Sequence, residues 1–293
     1  MRWLFMKLIN DLLTSFFSRK TVRQLSVAGW TQAYKDTVLR IVDAPKTKTN
    51  CECIDEVYRY LAHNYKDEYY FKNEMLNQLV SSEDTAIVEL PVSGSIADFI
   101  VVNDSATVYE IKTALDNFER LDSQISDYSR AFAKVAVVIP AEKLDRLLQK
   151  IDNQKIGIVI EKDGQLSVYR EPVADMSHLS HRAMFWILRK PEYSAMIKQW
   201  FGALPEVSDF EYYGTCYDLF SQIPILEAYQ LFVDALKKRK LQQDISDIPY
   251  GFRGLVYFMK LNRREYARFL DFLDQKFAKR CNSCFEKHTQ MCK

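Results

Sequence analysis

Three residues that could hold a metal ion and act on a phosphate ester lie close together in this chain. Asp98 is followed twelve residues later by Glu110, and Lys112 comes two residues after Glu110. Carboxylates are hard oxygen ligands, and Mg²⁺ is usually bound by one or two of them, with water and substrate phosphate filling the other positions. A neighbouring lysine can orient or deprotonate a metal-bound water, or offset charge on a phosphate. The alternative is that Glu110 and Lys112 lie on the solvated face of an edge strand without a chemical role.

A β-hairpin is predicted to position these side chains. Residues 96–102 and 106–112 are rich in β-branched and aromatic types, and an Asn-Asp-Ser turn separates them. The register that this three-residue loop imposes places Asp98 opposite Glu110, with Cβ atoms roughly 5 Å apart. Lys112 points to the same face because strand side chains alternate.

The segments around the hairpin predict the rest of an α/β unit. Residues 117–133 have the apolar spacing of an amphipathic helix, on which Gln124 and Tyr128 are four apart and share a face. Residues 135–140 are wholly apolar, which is typical of a strand buried on both faces. Residues 70–80 predict a further helix upstream. The predicted order is helix, three strands, helix, strand.

This order resembles the PD-(D/E)XK nuclease superfamily, and in particular its RecB-like branch. That branch carries an acid on the first helix, an Asp on the second strand and Glu-x-Lys on the third. The resemblance makes Glu74 the helix acid, Asp98 and Glu110 the metal-binding acids, and Lys112 the catalytic lysine. Ala97 stands where the signature has Pro, a position that does not touch the chemistry.

The resemblance extends beyond the acids and the lysine. A Gln-x-x-x-Tyr pair follows on the next helix of the RecB-like branch, which makes Gln124 and Tyr128 the pair that positions the nucleic acid. The whole chain is also similar to a bacterial family within the superfamily that adds a helical region with Glu-Tyr and Ile-Pro motifs. Those motifs stand here at residues 192–193 and 223–224.

Composition and patterning set the limits of the fold. The chain has 293 residues, 48% of them apolar and 13% aromatic, so a substantial core is expected. Its 40 basic and 39 acidic residues nearly cancel, which neither favours nor excludes a nucleic-acid partner. The predicted division is an N-terminal helical segment at 1–50, a nuclease-like core at 51–175 and an all-helical region at 176–293. No apolar run reaches membrane-spanning length, so a soluble, cytoplasmic protein is expected.

The cysteines suggest a second metal site. A Cys-x-x-Cys pair near the end of the chain, followed by a His and another Cys, could hold Zn²⁺ in a tetrahedral site. The resemblance to RecB-like nucleases adds an iron–sulfur cluster as an option, in which Cys51 or Cys53 joins the late cysteines. Incidental thiols on a helical tail are the third alternative. The candidate ligands at the chain end are Cys281, Cys284, His288 and Cys292.

Taken with the resemblance, the sequence predicts a restriction-endonuclease-like α/β core followed by an all-helical region. The expected activity is hydrolysis of phosphodiester bonds in DNA with Mg²⁺ or Mn²⁺, and bacterial defence is one natural setting. The expected partners are DNA and, through the helical region, another protein, with no membrane. The first alternative is a catalytically silent regulator that binds nucleic acid or protein on the same fold. The second is a structural zinc protein.

Overall fold

The computed structural model describes residues 2–239 and 244–277. These residues form two compact units: one contains the described residues up to 77 and those after 243, and the other contains residues 78–239. The first is called the helical unit and the second the sheet unit. The three-part division predicted from the sequence stays a prediction.

The described residues fold into helices and strands with the following bounds. The helices are α1 (Arg2–Phe16), α2 (Arg19–Ala28), α3 (Gln32–Ile41), α4 (Asn50–Asn64), α5 (Glu68–Leu79), α6 (Leu121–Ser129), α7 (Leu144–Lys150), α8 (His181–Ile187), α9 (Lys190–Phe201), α10 (Asp209–Gln222), α11 (Ile225–Lys237), α12 (Arg253–Met259) and α13 (Arg263–Asp274). The strands are β1 (Thr85–Val92), β2 (Ser95–Val102), β3 (Ala106–Ile111), β4 (Lys134–Pro140), β5 (Gly157–Lys162) and β6 (Gln165–Arg170).

The helical unit is built from α1 to α5, α12 and α13, and its core is aromatic. α2 begins at Ser18, whose side chain accepts a backbone hydrogen bond of the first turn, and ends at Gly29. Gly29 has φ +66°, in the left-handed region that glycine adopts without steric strain. The Phe16 ring lies 5.5 Å from that of Tyr34 and 5.4 Å from that of Phe252, between ring centroids. Aromatic packing thus joins residues that are distant in the sequence.

The sheet unit contains a six-stranded mixed sheet with strand order β1-β2-β3-β4-β5-β6. β1, β2 and β3 form an antiparallel meander, β3, β4 and β5 are parallel, and β6 returns antiparallel to β5. The buried face of the sheet and helices α8 to α11 share one hydrophobic core, in which the rings of Phe132 and Phe232 lie 5.5 Å apart. The structure is therefore mixed α/β, with the predicted order of helix, three strands, helix, strand present in α5 to β4.

The predicted hairpin is confirmed in its register. Val102 pairs with Ala106, and the turn is closed by a hydrogen bond from Asn103 N to Ser105 O at 2.9 Å. The Asn103 side chain also accepts a hydrogen bond from Ser105 N. β4 is the strand predicted over 135–140.

The helix predicted over 117–133 is shorter in the structure. α6 begins at Leu121, because the preceding residues form turns: Asn117 Oδ1 accepts a hydrogen bond from Glu119 N, which competes with helix formation. At the other end the helix stops at Ser129, and residues 131–133 are buried on the way into β4.

The described residues after 176 contain α8 to α13, with prolines at their boundaries. Pro191 lies in the first turn of α9, and Pro224 precedes α11. Both positions suit proline because a first-turn N–H has no intrahelical partner. No helix in the described part of the chain is both long and apolar enough to cross a membrane.

Candidate active site

The ends of β2 and β3 bring two carboxylates to adjacent positions. The pairing of the two strands runs to Phe99 and Tyr109, and Asp98 and Glu110 are the next residues on each strand. Asp98 is half-buried, and its Oδ2 accepts a hydrogen bond from Ile111 N at 2.8 Å. Glu110 is buried, with 2% of its surface exposed. The strand register predicted from the sequence therefore places the acids side by side.

Glu110 is held by three side chains of the sheet unit. Lys112 Nζ donates to Glu110 Oε1 at 2.7 Å, and Gln124 Nε2 donates to the same oxygen at 2.5 Å. The Tyr128 hydroxyl donates to Oε2 at 2.6 Å. Since a carboxylate offers about four lone-pair positions, these three donors leave room for about one more ligand at Glu110.

Lys112 is itself buried and fixed. Its backbone N–H donates to Val138 O of β4 at 2.9 Å, and its ammonium also donates to Gln124 Oε1 at 2.9 Å. Formally, Asp98, Glu110 and Lys112 leave one net negative charge in a partly water-excluded site. Such a site attracts a cation more strongly than an exposed acid pair does.

The helix α6 supplies Gln124 and Tyr128 from one face, as the four-residue spacing predicts. The Tyr128 hydroxyl lies 2.6 Å from Glu110 Oε2 and 2.7 Å from Ile96 O, and its single proton can serve one of them at a time. Burial, followed by the charge of Glu110, raises the pKa of Tyr128, so this phenol remains a proton donor. The charge of Asp98 raises the pKa of Tyr128 in the same direction.

Lys143 is a buried cation near the cluster that the sequence motifs do not include. It lies in the short 3₁₀ helix after β4, where 6% of its surface is exposed, and it donates to Asp116 O. Its ammonium lies 5.6 Å from the centroid of the Phe118 ring. Burial is the main cause that lowers the pKa of Lys143, and the charge of Lys112 contributes. Its place directly after a buried parallel strand is the signal that could have found it, since ligands gather at the carboxyl ends of such strands.

Glu74 belongs to the helical unit, on α5. It is buried, and its two carboxylate oxygens accept hydrogen bonds from Tyr58 at 2.5 Å and from Tyr250 at 2.7 Å. The catalytic role that the resemblance assigns to Glu74 stays a prediction.

The predicted cysteine site falls largely outside the described residues. Of its candidate ligands, Cys51 and Cys53 lie on α4, where burial raises the pKa of both thiols, to about 12 for Cys53. Within residues 2–239 and 244–277, no three His, Cys, Asp or Glu side chains are grouped to hold a metal. The remaining candidates lie outside those ranges, and they are Cys281, Cys284, His288 and Cys292.

The fold and the cluster together define a mixed α/β protein with a partly buried site of two acids and a lysine. The chain belongs to the family described as Bacteriophage P4 protein cII, whose model matches residues 61–246. No curated protein matches the chain. Among solved structures, a protein of unknown function from Silicibacter pomeroyi, SPO1766, is similar over 47% of this chain and 93% of its own, with 15% identity and a TM-score of 0.32. A similarity at that level bears on neither function nor fold.

Proposed function

We propose that this protein is a metal-dependent nuclease with a restriction-endonuclease-like core, which hydrolyses phosphodiester bonds in DNA. One observation carries the proposal. Five side chains chosen from the sequence for this chemistry meet in one cluster, although they come from two strands, the segment after β3, and a helix. The five are Asp98, Glu110, Lys112, Gln124 and Tyr128.

The donor set fits Mg²⁺ or Mn²⁺. Asp98 and Glu110 are oxygen ligands on adjacent strand positions, and Glu110 keeps about one lone-pair position beyond its three protein donors. These two carboxylates would hold the ion. When bound, the ion would neutralise charge on the scissile phosphate and activate water.

The other side chains would prepare this site for the phosphate. The Lys112 ammonium is fixed by its hydrogen bonds to Glu110 and Gln124. A phosphate oxygen that reaches the site would therefore meet a preorganised positive charge. Gln124 and Tyr128 donate to opposite oxygens of Glu110 and fix the plane of its carboxylate. Their assignment as substrate-positioning residues stays a prediction, and holding Glu110 is a further role that their contacts support.

The test is cleavage of labelled DNA and RNA, single- and double-stranded, with Mg²⁺, Mn²⁺ or EDTA. We expect metal-dependent cleavage of DNA that falls by about 10³-fold in Asp98→Asn and Lys112→Met. Glu161→Gln is the matched control, because Glu161 is a buried acid on β5 of the same sheet. Wild-type rates in both site variants, or cleavage that survives EDTA, would contradict the proposal.

A catalytically silent regulator on the same fold is the second candidate. The observation that favours it is the degree to which protein donors already satisfy Glu110. A thermal shift with Mn²⁺ separates the two candidates: a nuclease gains stability with the ion and loses that gain in Asp98→Asn, whereas a silent protein gains none.

A further inference from the structure

Among the Leu, Ile and Val side chains whose exposure the structure describes, the two most exposed both flank the acid pair. Leu115 is 85% exposed and follows Lys112 by three residues, and Ile96 is 59% exposed and precedes Asp98 by two. Because β2 and β3 are antiparallel, the start of β2 lies beside the end of β3. Both apolar side chains therefore lie at the same end of these strands as the acid pair.

Leu115 lies on a turn that is fixed by its own hydrogen bonds. Asp116 Oδ2 accepts from Thr113 N at 2.8 Å and from Thr113 Oγ1 at 2.7 Å, and Asp116 N donates back to Thr113 O at 3.2 Å. The ammonium of the buried Lys143 donates to Asp116 O and so fixes the turn to the segment after β4. This turn presents Leu115 to solvent without the freedom of a loose loop.

Ile96 is also held in place. It lies on β2, and its carbonyl oxygen is within 2.7 Å of the Tyr128 hydroxyl. Its side chain is on the same face of the strand as that of Asp98, because strand side chains alternate. The Ile96 side chain therefore lies next to that of Asp98, a proposed metal ligand, on one face of β2.

The chemistry of a nucleic acid restricts what these side chains can contact. Phosphates are charged and sugars carry polar oxygens, so most of the apolar surface of a nucleic acid lies on the faces of its bases, and stacking in a duplex covers those faces. Apolar side chains pack on bases where a strand is unpaired or where they wedge open a base step. Exposed apolar side chains beside a phosphate-cleaving site are therefore suited to contact an unpaired strand.

We infer, resting on the proposed nuclease function, that Leu115 and Ile96 pack against unpaired bases next to the scissile phosphate. The substrate is then a nucleic acid with unpaired nucleotides at the cleavage position.

The experiment compares three DNA substrates of one sequence: a single strand, a blunt duplex and a duplex with an unpaired flap. We expect the wild type to cleave the single strand and the flap faster than the blunt duplex. Leu115→Ala should lower kcat/KM on the single strand and the flap by about tenfold relative to the wild type. Leu115→Met, which keeps a large apolar side chain, should retain the wild-type kcat/KM. Leu226→Ala is the matched control, because Leu226 is a 53% exposed leucine on α11 of the same unit.

A binding readout makes the outcome independent of turnover. In an Asp98→Asn background, 2-aminopurine placed in the flap should change its fluorescence on binding, and the added Leu115→Ala change should abolish that response. Unchanged kcat/KM and unchanged fluorescence in Leu115→Ala would overturn the inference. Fastest cleavage of the blunt duplex would also overturn it. Absence of any metal-dependent cleavage by the wild type would instead contradict the proposed function.

Discussion

The two units each bury a glutamate whose carboxylate accepts from phenol hydroxyls, and the two sites differ in what else surrounds the acid. Glu110 in the sheet unit bonds to an ammonium, an amide and one phenol, with Asp98 beside it. Glu74 in the helical unit accepts from the phenols of Tyr58 and Tyr250. Both are almost fully buried, with 2% and 4% of their surface exposed.

These surroundings determine what each buried acid can do. An ammonium next to Glu110 offsets its charge, and this allows a second carboxylate to lie close by, which is the arrangement that cation binding requires. A phenol is a neutral donor. Burial, followed by the charge of Glu74, raises the pKa of Tyr58 well above its usual value, so that phenol keeps its proton. The first arrangement suits ion chemistry, and the phenols of the second fix a tertiary contact within the helical unit.

The largest expected effect comes from removing the charge of each glutamate in turn. Glu110→Gln should lower the rate of metal-dependent cleavage by about 10³-fold, because the proposed metal ligand becomes a neutral amide. Glu74→Gln should change it by less than about twofold, because phenol hydroxyls hold this acid in a tertiary contact of the helical unit. Initial rates on a single labelled substrate measure both. Equal losses in the two variants would remove the contrast between the sites.

The next effect concerns stability. Lys112→Met leaves Glu110 buried without its ammonium partner, and this should lower the free energy of unfolding by about 3 kcal/mol. The double variant Glu110→Gln with Lys112→Met should recover most of that loss, because neither charge then remains buried alone. Urea unfolding, monitored by circular dichroism, of the wild type, the two single variants and the double variant gives the double-mutant cycle. Additive losses of unfolding free energy would show that Glu110 and Lys112 are not energetically coupled.

The contrast also explains how far the sequence could predict each site. The partners of Glu110 come from a short stretch, and strand alternation, a three-residue turn and a four-residue helical spacing place them. The two phenol partners of Glu74 lie 16 and 176 residues away, and only the packing of the helical unit brings them to it. No periodicity links such positions, so neither Tyr58 nor Tyr250 could be assigned to Glu74 before the structure was known.

A similar limit applies to the boundaries of elements and to exposure. The apolar spacing predicted α6, but hydrogen bonds made by Asn117 within a turn delay its start to Leu121. The burial of Lys143 and the exposure of Leu115 depend on how the segments after β3 and β4 fold back. Local pattern predicts which face a residue shares, whereas its solvent exposure depends on tertiary contacts.

A pH dependence is expected from the helical unit. Burial raises the pKa of Asp67 from 3.8 to about 6. The unfolded chain releases this proton at lower pH than the folded protein, so the carboxyl's contribution to stability is present below about pH 4 and is lost as pH rises to about 6. Asp67→Asn should remove this dependence and be more stable than the wild type at pH 7 by about 2 kcal/mol. Asn also keeps the hydrogen bond that Tyr70 N makes to Oδ1.

Thermal unfolding of the wild type and Asp67→Asn between pH 4 and pH 8 measures the difference. Parallel curves over the whole range would contradict the raised pKa of Asp67.

The smallest expected effect comes from the most closely matched pair of substitutions, each of which removes one hydroxyl oxygen from its site. Tyr58→Phe and Tyr128→Phe each delete one phenol hydroxyl that donates to a buried glutamate, and each should lower the free energy of unfolding by about 1 kcal/mol. Only Tyr128→Phe should also change the Mn²⁺ concentration at half-maximal cleavage, because its hydroxyl occupies an oxygen of a proposed metal ligand. The rate at saturating Mn²⁺ and the half-maximal concentration are measured for both variants. If Tyr58→Phe shifts the metal dependence as much as Tyr128→Phe, then the phenols at Glu74 also serve the metal, and the two sites do not divide into ion chemistry and packing.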